Sequence, residues 1–443
     1  MRVTWVQPAD LLRHELWQSA AEGRDVSSQL ARWTDAGGIV GPPHVGASGE
    51  CYELSDLASE LLLELDGLPE VGADKEPSDW AEILATLPLE AAVRPRTDDF
   101  SDRILAAWTG RAVGCVLGKP VEKIPRVGIE EILRSNGRWP LDRWITAVGV
   151  PTEVTERWPW NKASKTTSME ENIDGTPEDD DLNYALMALR VVEKHGRDFT
   201  PDDVAQGWLL DLPAGRSFTA ERVAYRNLLE GVSPPMSARI RNPYREWIGA
   251  QIRTDVYGWV APGDPLRAAE LAWRDACVSH TRNGLYGAMA VAAMCSMAVV
   301  AGSVDEVLDA GLGVVPPQSR MHRALAYGRS LADLEPTTAY GALEAEFAGM
   351  HWVHALNNAA LVAYALAASR GDFDRAICLT VMGGWDTDSN GATVGSIAGA
   401  LGGTAAIAER WTAPLKGRLA SALPDCDGVT FTDLANRTVS LAG

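Results

Sequence analysis

Apolar residues along this chain recur with helical spacing far more often than they alternate. Leu182, Ala185, Leu186, Leu189 and Val192 follow an i, i+3, i+4, i+7 pattern, and Leu356, Ala359, Ala360, Ala363 and Leu366 repeat it. Few segments show the period of two that a half-buried strand requires. Ala-rich stretches separated by long loops therefore predict an all-α protein, a compact multi-helix bundle. The longest apolar stretch, Leu285 to Gly302, approaches membrane-spanning length. It is rich in Ala, Gly and Met and has no counterpart elsewhere, so it is expected to be the central helix of a soluble bundle.

The first 95 residues read differently. Leu11–Trp17, Ser28–Trp33, Leu54–Leu65 and Trp80–Leu87 each suit a short helix, with breaks at Gly37–Pro43 and Gly67–Pro77. This predicts an N-terminal helical extension, 1–95, joined near Pro95 to a main body, 96–443. No motif of chemical interest appears in the extension. Two long loops in the main body stand out. Trp139–Thr176 carries Trp139, Trp144, Trp158 and Trp160, and Pro243–Asp264 carries Trp247, Tyr257 and Trp259. Long loops in compact domains are usually functional or disordered, and these are too aromatic for disorder, so a lid over a site is expected.

Composition narrows the function classes. At 443 residues and 46% apolar content the chain can bury a large core. A formal charge of −20 repels phosphate backbones and anionic membranes, which argues against nucleic acid and membrane surfaces as partners. Six scattered cysteines show no paired spacing, so neither a disulfide framework nor a zinc site is expected, and a reduced, cytoplasmic setting fits. Met1–Trp17 lacks the basic and apolar regions of a signal peptide.

Three short segments carry the candidate chemistry. The first is Gly384-Trp385-Asp386-Thr387-Asp388-Ser389-Asn390, followed by Gly391, Gly395, Gly399 and Gly403 at every fourth position. Those glycines share one helical face, and each costs about 1 kcal/mol relative to Ala, so a close partner is expected there. The acids ahead of that helix suit either an N-cap or a hard-cation site. The second segment is Glu178-Asp179-Asp180-Asp181, just before the helix beginning near Leu182. A helix N-terminus stabilises one or two acids but not four adjacent ones, so a solvated cap and a cation site are both open. The third is Gly110-x3-Gly114-x3-Gly118, another flat helical face, which ends at Lys119-Pro120-Val121-Glu122. No strand precedes these glycines, so a dinucleotide fingerprint is a poor fit, and Arg111 and Lys119 exclude a membrane dimer. Glu122 by itself reads more readily as a surface residue than as a catalyst. If the three ends converge, Glu122, Glu178, Asp179, Asp180, Asp386 and Asp388 form an oxygen-only nest that needs cations, and such donors select Mg²⁺, Mn²⁺ or Ca²⁺ over zinc.

The ordered set of motifs, spread over roughly residues 100–410, resembles the ADP-ribosylglycohydrolases. Gly114, Cys115, Gly118 and Glu122 occupy that family's G-D-x-x-G-x-x-x-E pattern, with Cys115 where Asp is usual. Glu178–Asp181 matches its T-D-D-T, and Gly384–Ser389 matches its G-G-D-T-D-T. Asp275–Ala293, with Ser279-His280 and Gly284-x-Tyr286-Gly287-Ala288, is similar to its middle segment. The resemblance implies a dinuclear Mg²⁺ site, with Mn²⁺ as a substitute, whose ligands are Glu178, Asp179, Asp180, Asp386, Asp388 and Ser389. It implies catalytic roles for Glu122 and Asp386, and substrate contacts from Gly118, Trp385, Ser389 and Asn390. Glu178 and Asp181 in place of threonines add negative charge, and Trp385 in place of Gly adds a large ring.

The reaction so implied is hydrolysis of a ribosyl N- or O-glycosidic bond in an ADP-ribosyl group, with Glu122 as general acid/base. Two alternatives are open: a small nucleoside or NAD-derived metabolite as substrate, and a non-catalytic ADP-ribose-binding or crystallin-like protein. His280 reads as a structural histidine. His351 and His354 share a predicted helical face without forming a convincing metal pair, and Asn357 and Asn358 read as local hydrogen-bonding residues.

Overall fold

The computed structural model describes residues 3–40, 51–88 and 93–442. The chain is all-α, as its periodicity predicts. Strands among the described residues are limited to one antiparallel pair, Arg418–Leu419 with Val429–Thr430. The apolar stretch near Leu285 forms the helix Arg282–Ala298, buried from Asn283 to Ala298 at the centre of the bundle. No helix of the described residues is long and apolar enough to cross a membrane. All six cysteines are unpaired.

The two glycine-striped segments are partners for each other. They form the helices Phe100–Gly118 and Thr387–Gly402, which pack antiparallel, backbone against backbone. A Cβ on Gly114 would stand 1.8 Å from the Gly391 carbonyl oxygen, and one on Gly110 would stand 2.2 Å from that of Gly395. In return, a Cβ on Gly391 would stand 2.3 Å from the Gly114 carbonyl oxygen. No side chain fits between surfaces that close. The last glycine of the sequence pattern, Gly403, lies just past the helix at φ 71° and serves as its cap rather than its face.

Antiparallel packing has a consequence for chemistry, because the C-terminus of the first helix meets the N-terminus of the second. Thr387 Oγ1 donates to the Gly118 carbonyl at 2.8 Å, closing the joint. Glu122, four residues past Gly118, is thereby brought beside Asp386 and Asp388. The helix Asp180–His195 delivers the third acidic segment. Its approach is fixed by the C-terminal hairpin: Thr176 N donates to Arg418 O at 3.2 Å and Ala420 N to Thr176 O at 2.9 Å.

The N-terminal segments form helices at Pro8–Ala21, Ser27–Asp35, Ser55–Asp66 and Trp80–Thr86, close to the expected positions. The end of the Gly37–Pro43 break lies outside the described residues. These helices dock on the main body through buried charge. Arg245 pairs with Glu15 at 2.7 Å and Glu22 at 2.8 Å, while Glu76 pairs with Arg282 at 2.7 Å and Arg320 at 2.8 Å. Burial raises the Glu76 carboxyl, but Arg320 and Arg282 outweigh it and hold the pKa at about 2.

Neither aromatic loop is a free lid. In Trp139–Thr176 the helix Thr152–Arg157 forms, and Trp144 packs edge-on against Trp411 at 5.1 Å while Trp158 donates to Glu131 at 2.7 Å. Its rings are engaged in packing, and only Asn161, Ala163 and Ser164 reach the site. Pro243–Asp264 is core: Trp247, Tyr257 and Trp259 are all buried. His351 and His354 precede the helix Ala355–Ser369 instead of sharing its face, and His351 stacks on Trp247 at 4.2 Å.

Gly114→Ala and Gly391→Ala are expected to destabilise the protein by about 3 kcal/mol or more, because a methyl inserted between backbones forces the helices apart. Gly341→Ala, at an exposed position of the helix Pro336–Glu346 with open space around it, should instead stabilise by roughly 0.5–1 kcal/mol. Chemical denaturation of the three variants checks both signs.

Candidate active site

Where the two glycine helices meet the start of Asp180–His195, a cleft of about 410 Å³ opens. Glu122, Glu178, Asp179, Asp180, Asp181, Asp386, Asp388 and Ser389 all line it. The three segments singled out in sequence thus converge on one cavity. Two helix N-termini, those of Asp180–His195 and Thr387–Gly402, point their positive dipole ends at it.

The two acidic turns answer the capping question differently. Asp179 is a cap: its Oδ1 accepts from Asp181 N at 2.9 Å. Asp386 occupies the N-cap position of its helix but makes no side-chain cap bond. Its approach is shaped by Gly384 and Trp385 at φ 82° and 59°, both left-handed. For tryptophan that conformation stores strain, of order 1–3 kcal/mol. Asn358 holds the turn in place, its Oδ1 accepting from Asn390 Nδ2 at 2.6 Å and from Asp386 N at 3.3 Å.

The carboxylates divide into those with a cation and those without. Asp179 is ion-paired with the buried Lys119, which also donates to the Glu178 carbonyl at 3.2 Å. Asp181 faces Arg111 at 3.8 Å, Glu122 faces Lys123 at 3.1 Å and Glu178 faces Arg216 at 3.0 Å. Asp180, Asp386 and Asp388 have no basic side chain at ion-pair distance among the described residues. Burial, then neighbouring carboxylates, pushes all three above the usual carboxylate range: Asp179 and Asp388 act on Asp180, Asp388 and Glu122 on Asp386, and Asp179 on Asp388. Glu122 is pushed up to about 7 by burial and by Asp388, against the pull of Lys123.

Three carboxylates with no counter-charge, Asp386 and Asp388 buried and Asp180 half-buried, with the Ser389 hydroxyl beside them, are a donor set suited to a hard divalent cation. A second grouping is chemically different. Single ligand atoms of Cys115, Asp179 and Asp181 lie within 4.8 Å of one another. There, however, Lys119 and Arg111 already supply positive charge, and burial holds the Cys115 thiol neutral by raising its pKa far above the ordinary value.

Other residues named from sequence fall outside the cavity lining. Gly118 is taken up by helix contact, since its Cβ would stand 2.2 Å from the Thr387 oxygen. The Trp385 ring packs edge-on against Phe347 at 6.3 Å, and Asn390 is fully buried on Asn358. Glu178 lines the cleft with its carboxylate engaged by Asn183 at 2.7 Å and by Arg216. His280 is buried and hydrogen-bonded to Ser279 at 2.8 Å, a structural position. Sequence reading overlooked Lys119, Lys123, Asn161 and Arg216 as charge and hydrogen-bond partners. It also overlooked Trp5, Tyr184, Phe218 and Trp352 as cleft walls. Two lysines flanking a candidate catalytic glutamate were the available signal.

The ADP-ribosylglycohydrolase family profile matches residues 96–442, and the chain belongs to that family of glycohydrolases. A solved structure of an "ADP-ribosylglycohydrolase-related protein complex" is similar in fold, with a TM-score of 0.50 and 23% identity, covering 78% of this chain and 99% of that one. No curated protein matches. The first 95 residues lie outside the family match.

Asp388→Asn removes a like charge that the fold holds at a disadvantage, so the metal-free variant should melt above the wild type. Mg²⁺ at about a hundred times its Kd should stabilise the wild type by roughly 2.7 kcal/mol and leave Asp388→Asn unmoved. Thermal melts with Mg²⁺ and with chelator read both effects.

Proposed function

We propose that the protein is a Mg²⁺-dependent hydrolase that cleaves the N- or O-glycosidic bond joining ribose C1 to a leaving group in an ADP-ribosyl substrate. The observation that carries this reading is the placement of three unpaired carboxylates, Asp180, Asp386 and Asp388, beside a glutamate with a pKa near neutrality. A structural descendant has no use for that arrangement, because ionised neighbours in a buried cleft destabilise the fold.

Asp180, Asp386, Asp388 and Ser389 would hold the divalent cation, which when bound supplies Lewis acidity and orients vicinal sugar hydroxyls. Glu122 handles the proton. Its two oxygens accept hydrogen bonds from Asn161 and Lys123, donors that suit the ionised form. Glu122 therefore works as the base that takes a proton from the attacking water while positive charge develops at C1. Lys123 and Asn161 fix the orientation of the carboxylate.

A smaller substrate, a nucleoside or an NAD-derived metabolite, is favoured by one feature. Trp5, from outside the family-matched region, walls the cleft together with Phe218 and Trp352. Arg222 pins this segment by donating to Thr4 O at 3.2 Å, and its guanidinium lies over the Phe218 ring at 5.3 Å. The Tyr184 ring lines the same cleft, as do the polar side chains of Asn161 and Arg216. Aromatic walls with a few polar groups suit a planar base.

Incubation with Mg²⁺ and ADP-ribosyl-arginine, ADP-ribosyl-serine, O-acetyl-ADP-ribose, NAD or nucleosides should release free sugar from one of them, and release from none overturns the reading. On that substrate, Glu122→Gln should lower kcat by about 10²–10⁴. It should also abolish an acid limb lying below about pH 7, since a bound cation offsets the Asp388 charge that raises Glu122. A small planar substrate predicts that Trp5→Ala raises KM about fivefold, roughly 1 kcal/mol, with kcat nearly unchanged. An unmoved KM speaks for a substrate that does not reach Trp5.

A further inference from the structure

The positive charge already built into the nest bears on how many ions it takes. Its carboxylates fall into two halves. Next to the helix Phe100–Gly118, Asp179 is ion-paired with Lys119 and Asp181 faces Arg111. Arg111 is fully buried and anchored to Asp255 at 2.6 Å and to the Asp181 carbonyl at 2.6 Å, so it cannot withdraw. Lys119 is 7% exposed, and both of its acceptors, the Asp179 carboxylate and the Glu178 carbonyl, belong to the acidic turn. The same half contains Cys115, a thiol where the family pattern has a carboxylate. A neutral thiol and an ammonium thus replace an acid and its need for a cation. In the other half, Asp180, Asp386 and Asp388 have no such partner among the described residues.

We propose that Lys119 stands in for one cation of the nest, so that this protein binds a single divalent ion, held by Asp180, Asp386 and Asp388. The inference rests on the divalent-cation reading above and departs from it in the count. Three carboxylates and one divalent ion leave one net negative charge, offset by the two helix N-termini that point at the site. A second divalent ion beside Asp179 would have to displace a buried ammonium and approach Arg111, and like charges at such separations repel strongly in a buried site. Lys119 is a positioning residue here, since it holds Asp179 and the acidic turn without touching the reacting atoms.

The test counts ions on the full chain by the loss of the free Mn²⁺ EPR signal during titration of the metal-free protein. The wild type is expected to take up one Mn²⁺. Lys119→Met, which keeps most of the length of the side chain and removes its charge, should admit a second ion. It should also tighten the first by at least about tenfold. Lys119→Arg keeps the charge and should still bind one. Two ions on the wild type would overturn this inference and leave the divalent-cation reading standing, whereas none would sink both. A folded Lys119→Met protein that binds one Mn²⁺ with unchanged affinity also overturns it. If that variant does not fold, the wild-type count alone decides.

Discussion

Two helices touch backbone to backbone along glycine faces, and the rest of the site follows from that contact. Helices normally keep 8–10 Å between axes because side chains fill the gap. Here Gly110, Gly114 and Gly118 oppose Gly395, Gly391 and Thr387 so closely that a single methyl on any of these glycines would overlap a carbonyl group. The contact fixes both sliding and rotation, since each close approach needs a glycine on at least one of the two helices. It therefore sets the distance between Glu122, just past one helix, and Asp386 and Asp388, at the start of the other. A looser pairing with alanines would fold a similar bundle without defining that distance.

The arrangement concentrates buried negative charge. Part of it is neutralised internally by Lys119, Arg111, Lys123 and Arg216. Helix dipoles favour some of the remainder, and three carboxylates stay uncompensated. Strain at Trp385 destabilises the same corner of the fold. Fold stability and site chemistry oppose each other here, which is why the surroundings are so thoroughly tied down. Asn358 holds the Asp386 turn, and the C-terminal hairpin with Asn183 holds the other, Ser421 Oγ donating to Asn183 Oδ1 at 2.8 Å.

The N-terminal 95 residues are integrated through a different kind of contact. Three arginines of the main body, the buried Arg245 and the half-buried Arg282 and Arg320, each meet glutamates of the extension. Removing the extension would take both carboxylate partners from Arg245 and leave Arg282 and Arg320 with Glu246 alone, a penalty added to the lost apolar contact. Docked in this way, the extension carries Trp5 to the cleft. A segment without any recognisable motif thus supplies a wall of the cavity at the end of the family-defining body.

Local patterns were enough to place the helices, because helical periodicity and glycine spacing are properties of neighbours in sequence. They also marked Glu122, Glu178–Asp181 and Asp386–Ser389 as one chemical set, since acids clustered at the ends of close-packing helices repel one another unless a cation meets them. Partnership was not legible. A glycine stripe shows that something approaches closely, but not that the other stripe does. An aspartate at a helix start can cap or face a cleft, and only backbone φ and the position of Asn358 separated Asp386 from Asp179. Trp385 read as a site residue because it adjoins one, whereas the left-handed turn that presents Asp386 sends its ring to Phe347. Trp5, Arg216 and Asn161 reach the cleft from distant segments that no spacing rule connects. The sequence by itself determined which residues could carry the chemistry. Tertiary structure alone decided which of those charges are already paired, because pairing depends on distances across the fold that local periodicity does not encode.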